Sequence, residues 1–254
     1  MSLWSDSHAA TIDVENFRAP DQYLSQPVAY PFRALVEYVR GEWPWLLDEL
    51  DEDGAFGCVT ENVDGKVVSR DLLDSICEIG FLLKCIEPGR YVWSVGPATS
   101  RSFVPTARVL DIGAGYGRFA HRLTSAFPLS FVYCADAIDV SMDVCVRYLN
   151  YRNAKRAAVI GPAELHNLLG ILDVAVNIHS WSECTLAEVR GWLDWLVTLE
   201  VPRLFIVPHE PTFATLSGGP SYLPELEARG FKMTREWTGP PCWPRLHAMF
   251  ERSR

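Results

Sequence analysis

Two hydrophobic rhythms run along the chain. Up to about residue 100 the apolar positions recur mainly at helical spacing, and beyond it short apolar runs alternate with helical patterns. Phe32, Leu35, Val36, Val39, Trp43, Leu46, Leu47 and Leu50 predict a helix that Pro44 breaks or kinks. Cys58 to Val63 and Lys66 to Val68 flank Asp64-Gly65, which predicts a tight hairpin. Leu72, Leu73, Ile76, Ile79, Leu82 and Leu83 mark a second helix. Residues 87–105 hold Pro88, Gly89, Gly96, Pro97 and Pro105 and read as a linker or irregular cover.

From Ala107 onward strands are expected at 108–112, 131–136, 157–161, 172–178 and 203–208. Helices are expected at 116–125, 140–149, 163–169, 186–199 and 222–229. Two last strands, 231–238 and 246–251, are joined by a Pro-rich loop and no helix, which makes them an antiparallel hairpin at one edge. The alternation predicts an α/β fold with a mostly parallel sheet covered on both faces. The division expected is a mainly helical unit at 1–105 and a sheet domain at 106–254.

Composition narrows the function. The net charge of −9 and the absence of clustered Lys and Arg argue against a nucleic-acid binder. No apolar run approaches the roughly 20 residues of a membrane helix. The first residues show no apolar stretch behind a basic start, so no secretory leader is expected. Seven scattered cysteines without a C-x-x-C pair fit a reducing, cytoplasmic setting better than a disulfide framework or zinc ribbon.

The sharpest motif is Val109-Leu110-Asp111-Ile112-Gly113-Ala114-Gly115-Tyr116-Gly117-Arg118-Phe119, where an apolar strand gives way to a helix. Glycines there permit a tight turn and close approach of a ligand. A dinucleotide reading is disfavoured. Arg118 stands where that fingerprint wants a small residue, and Asp111 would repel a pyrophosphate. A second strand ends in Asp136, 23 residues after Gly113, where a carboxylate can accept both hydroxyls of a ribose.

The loop and the second acid resemble class I S-adenosylmethionine-dependent methyltransferases over roughly residues 105–210, and more narrowly bacterial sugar O-methyltransferases. The resemblance implies a Rossmann-like fold with a seven-stranded sheet and S-adenosylmethionine as cofactor. It implies that Asp111 faces the cofactor's ammonium group and Asp136 its ribose. Gly113, Gly115, Tyr116 and Asn177 would also border the cofactor. Ala137, Ile138, Pro162 and Ala163 would enclose the adenine.

Ligands of such sheets bind beyond the carboxyl ends of the strands. Two runs end there with a histidine and a carboxylate: Asn177-Ile178-His179-Ser180-Trp181-Ser182-Glu183 and Val207-Pro208-His209-Glu210. Methyl transfer to a hydroxyl needs a base, and His179 or His209 is the candidate, with Glu210 or Glu183 orienting it. Glu183 reads equally as a first-turn acid of the next helix. Magnesium is conceivable on His179, His209, Glu183 and Glu210. It is not favoured, because the set lacks an adjacent pair of acids. His121 and His166 read as structural or exposed, and His8 and His247 receive no role.

Trp43 and Trp45, and Trp192 and Trp195, read as packing residues. Trp181 and Trp243 offer either a flat face for an acceptor ring or packing. The segment 212–221, with Gly218-Gly219-Pro220, has the composition of a loop that closes over an acceptor. The resulting expectation is O-methylation of a small polar acceptor, best a saccharide, with a homodimer contact left open. The alternatives are N- or C-methylation of a small metabolite, and a binding module that keeps the fold without the chemistry.

Overall fold

Strands that are apolar on both faces must be covered on both faces, and here two separate cores do so. The computed structural model describes residues 13–19, 30–86, 91–95, 101–215 and 218–253, with only the backbone of 91–95 and 101–105. The N-terminal region forms α1 (Phe32–Glu42), α2 (Pro44–Glu49), a hairpin of β1 (Thr60–Val63) and β2 (Lys66–Ser69), and α3 (Arg70–Cys85). Pro44 opens α2, and Trp43 sits at the break with 4% exposure. The Ser69 hydroxyl accepts from the Leu72 amide at 3.0 Å and caps α3.

Residues 91–95 and 101–105 depart from expectation. Tyr91–Val95 (β3) and Arg101–Pro105 (β4) pair antiparallel, from Tyr91 opposite Pro105 to Val95 opposite Arg101. The Gly and Pro residues that read as breakers flank these β-prone runs, and Pro105 is a terminal strand residue.

The sheet follows with β5 (Arg108–Ile112), α4 (Arg118–Ala126), β6 (Phe131–Ala135), α5 (Asp139–Tyr151) and β7 (Ala157–Val159). A 3₁₀ turn (Pro162–Leu168), β8 (Val174–Ile178), a second 3₁₀ turn (Ser180–Glu183), α6 (Leu186–Thr198) and β9 (Arg203–Val207) come next. α7 (Leu223–Ala228), β10 (Phe231–Trp237) and β11 (His247–Arg252) complete it. The seven strands lie in the order β10-β11-β9-β8-β5-β6-β7. β7, β6, β5, β8 and β9 run parallel, and β11 is antiparallel to both β9 and β10. The expected α/β architecture is therefore observed, with the last strand inserted inside the edge.

Val109, Val132, Val174, Val176, Phe205 and Met249 on one face share a core with α1, α2, α3, α4 and α5. Leu110, Ile112, Ala175, Leu204, Ile206 and Phe250 on the other pack against α6, α7 and the 162–168 turn. The N-terminal helices thus cover the sheet directly. Gly80 lets α3 pack closely on the break between α1 and α2: a Cβ there would lie 2.2 Å from the Trp43 ring. Trp45, expected to pack, is 45% exposed and touches Phe127 edge-on. No helix among the described residues is long and apolar enough to cross a membrane.

A buried charge cluster joins the N-terminal region to α4. Glu52 meets Arg18 at 2.6 Å and Arg122 at 2.8 Å, and takes a hydrogen bond from the Ser69 hydroxyl at 2.6 Å. Burial pushes the Glu52 carboxyl upward, but Arg18 and Arg122 outweigh it and hold the carboxyl down at about 2. A depressed carboxyl contributes stability above its unfolded value, and that contribution fades as pH falls towards 2. Glu52→Gln removes the carboxylate charge that Arg18 and Arg122 share and should cost about 3–5 kcal/mol in urea unfolding at neutral pH. The deficit relative to wild type should shrink in acid. Gly80→Ala should cost about 1–3 kcal/mol through overlap with Trp43, read from the same denaturation midpoints.

Candidate active site

The parallel strands deliver their carboxyl ends to one edge, and the candidate residues gather there. The turn after β5 is held by the Gly113 amide, which donates to the Ala135 carbonyl at 2.8 Å. Gly113 has φ +69°, and a Cβ on it would lie 2.1 Å from the Ser180 hydroxyl oxygen. Gly115 has φ +55° and faces open space, with nothing within 4 Å of an added Cβ. The loop is tight on one side and accessible on the other.

Asp111 is 2% exposed, and its Oδ2 is buried without a hydrogen-bond partner. Burial pushes this carboxyl up to about 7; Arg118 opposes the shift, while the charges of Glu78 and Asp136 add to it. Arg118 is itself answered by Glu78, through contacts of 2.8 and 2.9 Å. Asp136 closes the neighbouring turn. It accepts from the Gly115 amide at 3.2 Å, the Ile138 amide at 3.1 Å and the Ser141 hydroxyl at 2.9 Å. Burial still raises its pKa, against those hydrogen bonds. Ala137, Pro162 and Ala163 are exposed near the strand tips, and Ile138 is partly so.

Two residues named with the loop are turned elsewhere. The Tyr116 side chain is buried against Phe17 and Tyr148, and its hydroxyl donates to Asp71. Asn177 donates to the Ile112 carbonyl at 2.9 Å and to the Ser180 hydroxyl, and accepts from the Trp181 amide at 3.2 Å. Each side chain serves the frame, leaving only the backbone for a ligand. Tyr116 fastens the loop to α3, and Asn177 joins the ends of β5 and β8.

His179 and His209 are brought together, with ring centroids 4.8 Å apart. His179 adopts φ +69°, a strained backbone held by its amide donating to the Val207 carbonyl at 2.7 Å. Its Nδ1 is buried and unpartnered. Burial, then His209 and the positive charges of Arg118, Arg245 and Arg70, hold its pKa well below the usual histidine range. His209 is more exposed. Its amide donates to the Ser182 hydroxyl at 3.0 Å, and its Nε2 lies 3.5 Å from a Glu183 oxygen. Burial and Arg245 lower its pKa, while Glu210 acts to raise it. Glu210 is exposed beside it. Among the described residues no group of three or more His, Cys, Asp and Glu is placed to hold a metal ion.

The other aromatic and histidine expectations divide. Trp181 is fully buried and meets Tyr222 edge-on, so it presents no face to a ligand. Trp243 carries the guanidiniums of Arg70 and Arg245 near its ring, and Tyr30 packs edge-on against it. His121 is buried against the Tyr148 hydroxyl at 3.1 Å, and His166 is exposed. His247 is buried in β11, while His8 lies outside the described residues. The flanks of the 212–221 segment are pinned: Ala214 bridges Ser221, and Phe213 is buried against Tyr222 and Phe250. Arg70, Asp74 and Arg245 were not legible, because no local pattern links residues so far apart in sequence.

No family model matches the chain, and no curated protein matches it in sequence. Among solved structures, magnesium protoporphyrin IX methyltransferase from Synechocystis PCC 6803 with bound SAM aligns with 90% of this chain and 100% of its own. The two are 16% identical, with a TM-score of 0.50. The chain has a methyltransferase fold. A SAM-dependent methyltransferase from Aquifex aeolicus is 18% identical over 58% of this chain and 82% of its own, at a TM-score of 0.47. Mitomycin 7-O-methyltransferase is 19% identical over 58% of this chain and 49% of its own, about half its length, at a TM-score of 0.48. The fold assignment rests on the first of these.

The two loop glycines should respond differently to substitution. Gly115→Ala should cost about 1–2 kcal/mol, from the left-handed backbone alone. Gly113→Ala should cost more, because its Cβ also meets Ser180. Chemical denaturation of both variants checks the order.

Proposed function

We propose that the protein is a methyltransferase that uses S-adenosylmethionine to methylate a hydroxyl of a small polar acceptor. The observation that carries the reading is the buried, unpartnered Oδ2 of Asp111 beside the open face of Gly115. A buried carboxylate needs a cationic or donor partner, and an amino-acid ammonium supplies one. Asp136 at the adjacent strand tip suits a ribose, exchanging its internal hydrogen bonds for two hydroxyls. When bound, the cofactor supplies an electrophilic methyl on a sulfonium.

His209 is the better base of the pair. Forming an imidazolium on His179 is opposed by burial, by His209 and by three arginines. At His209 the Glu183 and Glu210 carboxylates favour it. Glu183 lies 3.5 Å from Nε2, which leaves Nδ1 to take the acceptor proton, and neutral His179 packs beside it. The remaining work is positioning. The described part of the N-terminal region acts as a cap that shapes the acceptor side, a reading supported by Tyr30 and Arg70 packing against Trp243. A saccharide falls within this acceptor class, held by polar contacts, because neither Trp181 nor Trp243 offers a free ring face.

Calorimetric titration with S-adenosylhomocysteine, with NAD as control, tests the cofactor. Wild type should bind the former only, and Asp136→Ala should bind at least about tenfold more weakly. Affinity should also rise between about pH 5.5 and about pH 8, by up to about tenfold per unit, because the ammonium selects the ionised Asp111 carboxylate. No binding of S-adenosylhomocysteine contradicts the reading. In methyl-transfer assays His209→Asn should lower kcat by about 10²–10⁴ and His179→Asn by less. If neither matters, the acceptor atom is nitrogen or carbon instead.

A further inference from the structure

The acceptor side carries a charge imbalance that the methyl transfer does not explain. Arg70 opens α3 and Arg245 lies just before β11. Their Cζ atoms sit 5.5 and 5.1 Å from the centroid of the Trp243 ring. Arg70 is answered by Asp74, whose carboxylate lies 3.2 Å from its Nε and also accepts the Tyr30 hydroxyl at 2.8 Å. Arg118, the other arginine acting on His179, is answered by Glu78. Arg245 is different. Among the described residues no carboxylate or carbonyl meets its guanidinium, although the residue is half-buried.

The position of Arg245 is fixed by its backbone. Its amide donates to the Thr238 carbonyl at 2.8 Å, and its own carbonyl meets His247 Nδ1 at 2.8 Å. Burial and the nearby Arg70 both disfavour its charge, and Asp74 acts the other way. β11 runs antiparallel to β9 with Ala248 opposite Ile206, so Arg245 lies at the strand-end edge that carries His209, and its charge acts on both His179 and His209. A partly desolvated guanidinium without a carboxylate partner among the described residues is half of a bidentate oxyanion site.

Building on the methyltransferase reading above, we propose that the acceptor is an anion, a carboxylate or phosphate monoester, gripped by Arg245 with Arg70 beside it. The anion's charge replaces the missing counter-ion, and the grip places the hydroxyl at His209. Trp243 keeps the two guanidiniums in place. Neutral sugars and esters would lack this anchor.

The test uses the whole chain saturated with S-adenosylhomocysteine, as wild type, Arg245→Gln and Arg245→Lys. The probes are glucuronate and glucose 6-phosphate against glucose, and 4-hydroxybenzoate against its methyl ester, read by calorimetry and by thermal shift. The expected result is that a charged probe binds wild type at least about tenfold more tightly than its neutral counterpart. Arg245→Gln should erase that preference and Arg245→Lys should keep part of it. All three proteins should bind S-adenosylhomocysteine equally. In the absence of probes Arg245→Gln should melt no lower than wild type, since it removes an unpaired charge. The carboxylate and phosphate arms separate the two oxyanions. Equal binding of neutral and charged probes, a preference that survives Arg245→Gln, or no charged probe bound by the loaded protein overturns the proposal and leaves the cofactor reading standing. Failure of wild type to bind S-adenosylhomocysteine overturns both.

Discussion

A carboxylate with a buried, unpartnered oxygen at the end of the central strand is the constraint around which this site is organised. Asp111 is almost wholly buried, and its charge is disfavoured by its surroundings. A protein selected only for stability would replace it with an apolar residue or pair it. The nearest arginine does not do so, because Arg118 is committed to Glu78. The carboxyl is therefore kept with one oxygen unpartnered beside an open, glycine-lined turn.

That arrangement needs a rigid support, and the N-terminal region supplies it. Tyr116 reaches Asp71, Arg118 reaches Glu78 and Ser75, and Arg18 joins Asp71 to Glu52. The back of the loop is fastened by buried polar contacts, and its front stays free. Asn177 does the same at the next strand, joining the ends of β5 and β8. Side chains from 70 to 78 thus hold the loop from behind, while Tyr30 and Arg70 help form the acceptor side. Polar networks of this kind rigidify a site when every member is satisfied. Of the buried side-chain atoms without a hydrogen-bond partner among the described residues, those of Asp111 and His179 lie at the carboxyl ends of the strands, where ligands are expected.

Strand positions were legible in the sequence because each parallel strand is a short apolar run closed by a turn residue or an acid. Asp111 and Asp136 stood out for the same reason, as charges at the ends of such runs. The pairing of β3 with β4 was missed because the flanking Gly and Pro residues obscured two β-prone runs. Side-chain direction was not legible either. Tyr116 and Asn177 occupy the expected places on the loop and the strand tip but turn into the frame. Trp181 and Trp243 were equally ambiguous until their neighbours were known. Arg70 and Arg245, 175 positions apart, meet only through the fold.

The most direct measurement is a pair of readings on Asp111→Asn at about pH 8: its denaturation midpoint and its affinity for S-adenosylhomocysteine. The wild-type carboxyl is raised from 3.8 to about 7, so the fold holds its proton more tightly than the unfolded chain does. Its contribution to stability therefore falls as pH rises through this range, and the ionised form burdens the free protein above it. The account predicts that Asp111→Asn melts higher than wild type and binds S-adenosylhomocysteine at least about tenfold more weakly. A variant that melts lower and binds equally well would show that Asp111 supports the fold and does not anchor a ligand.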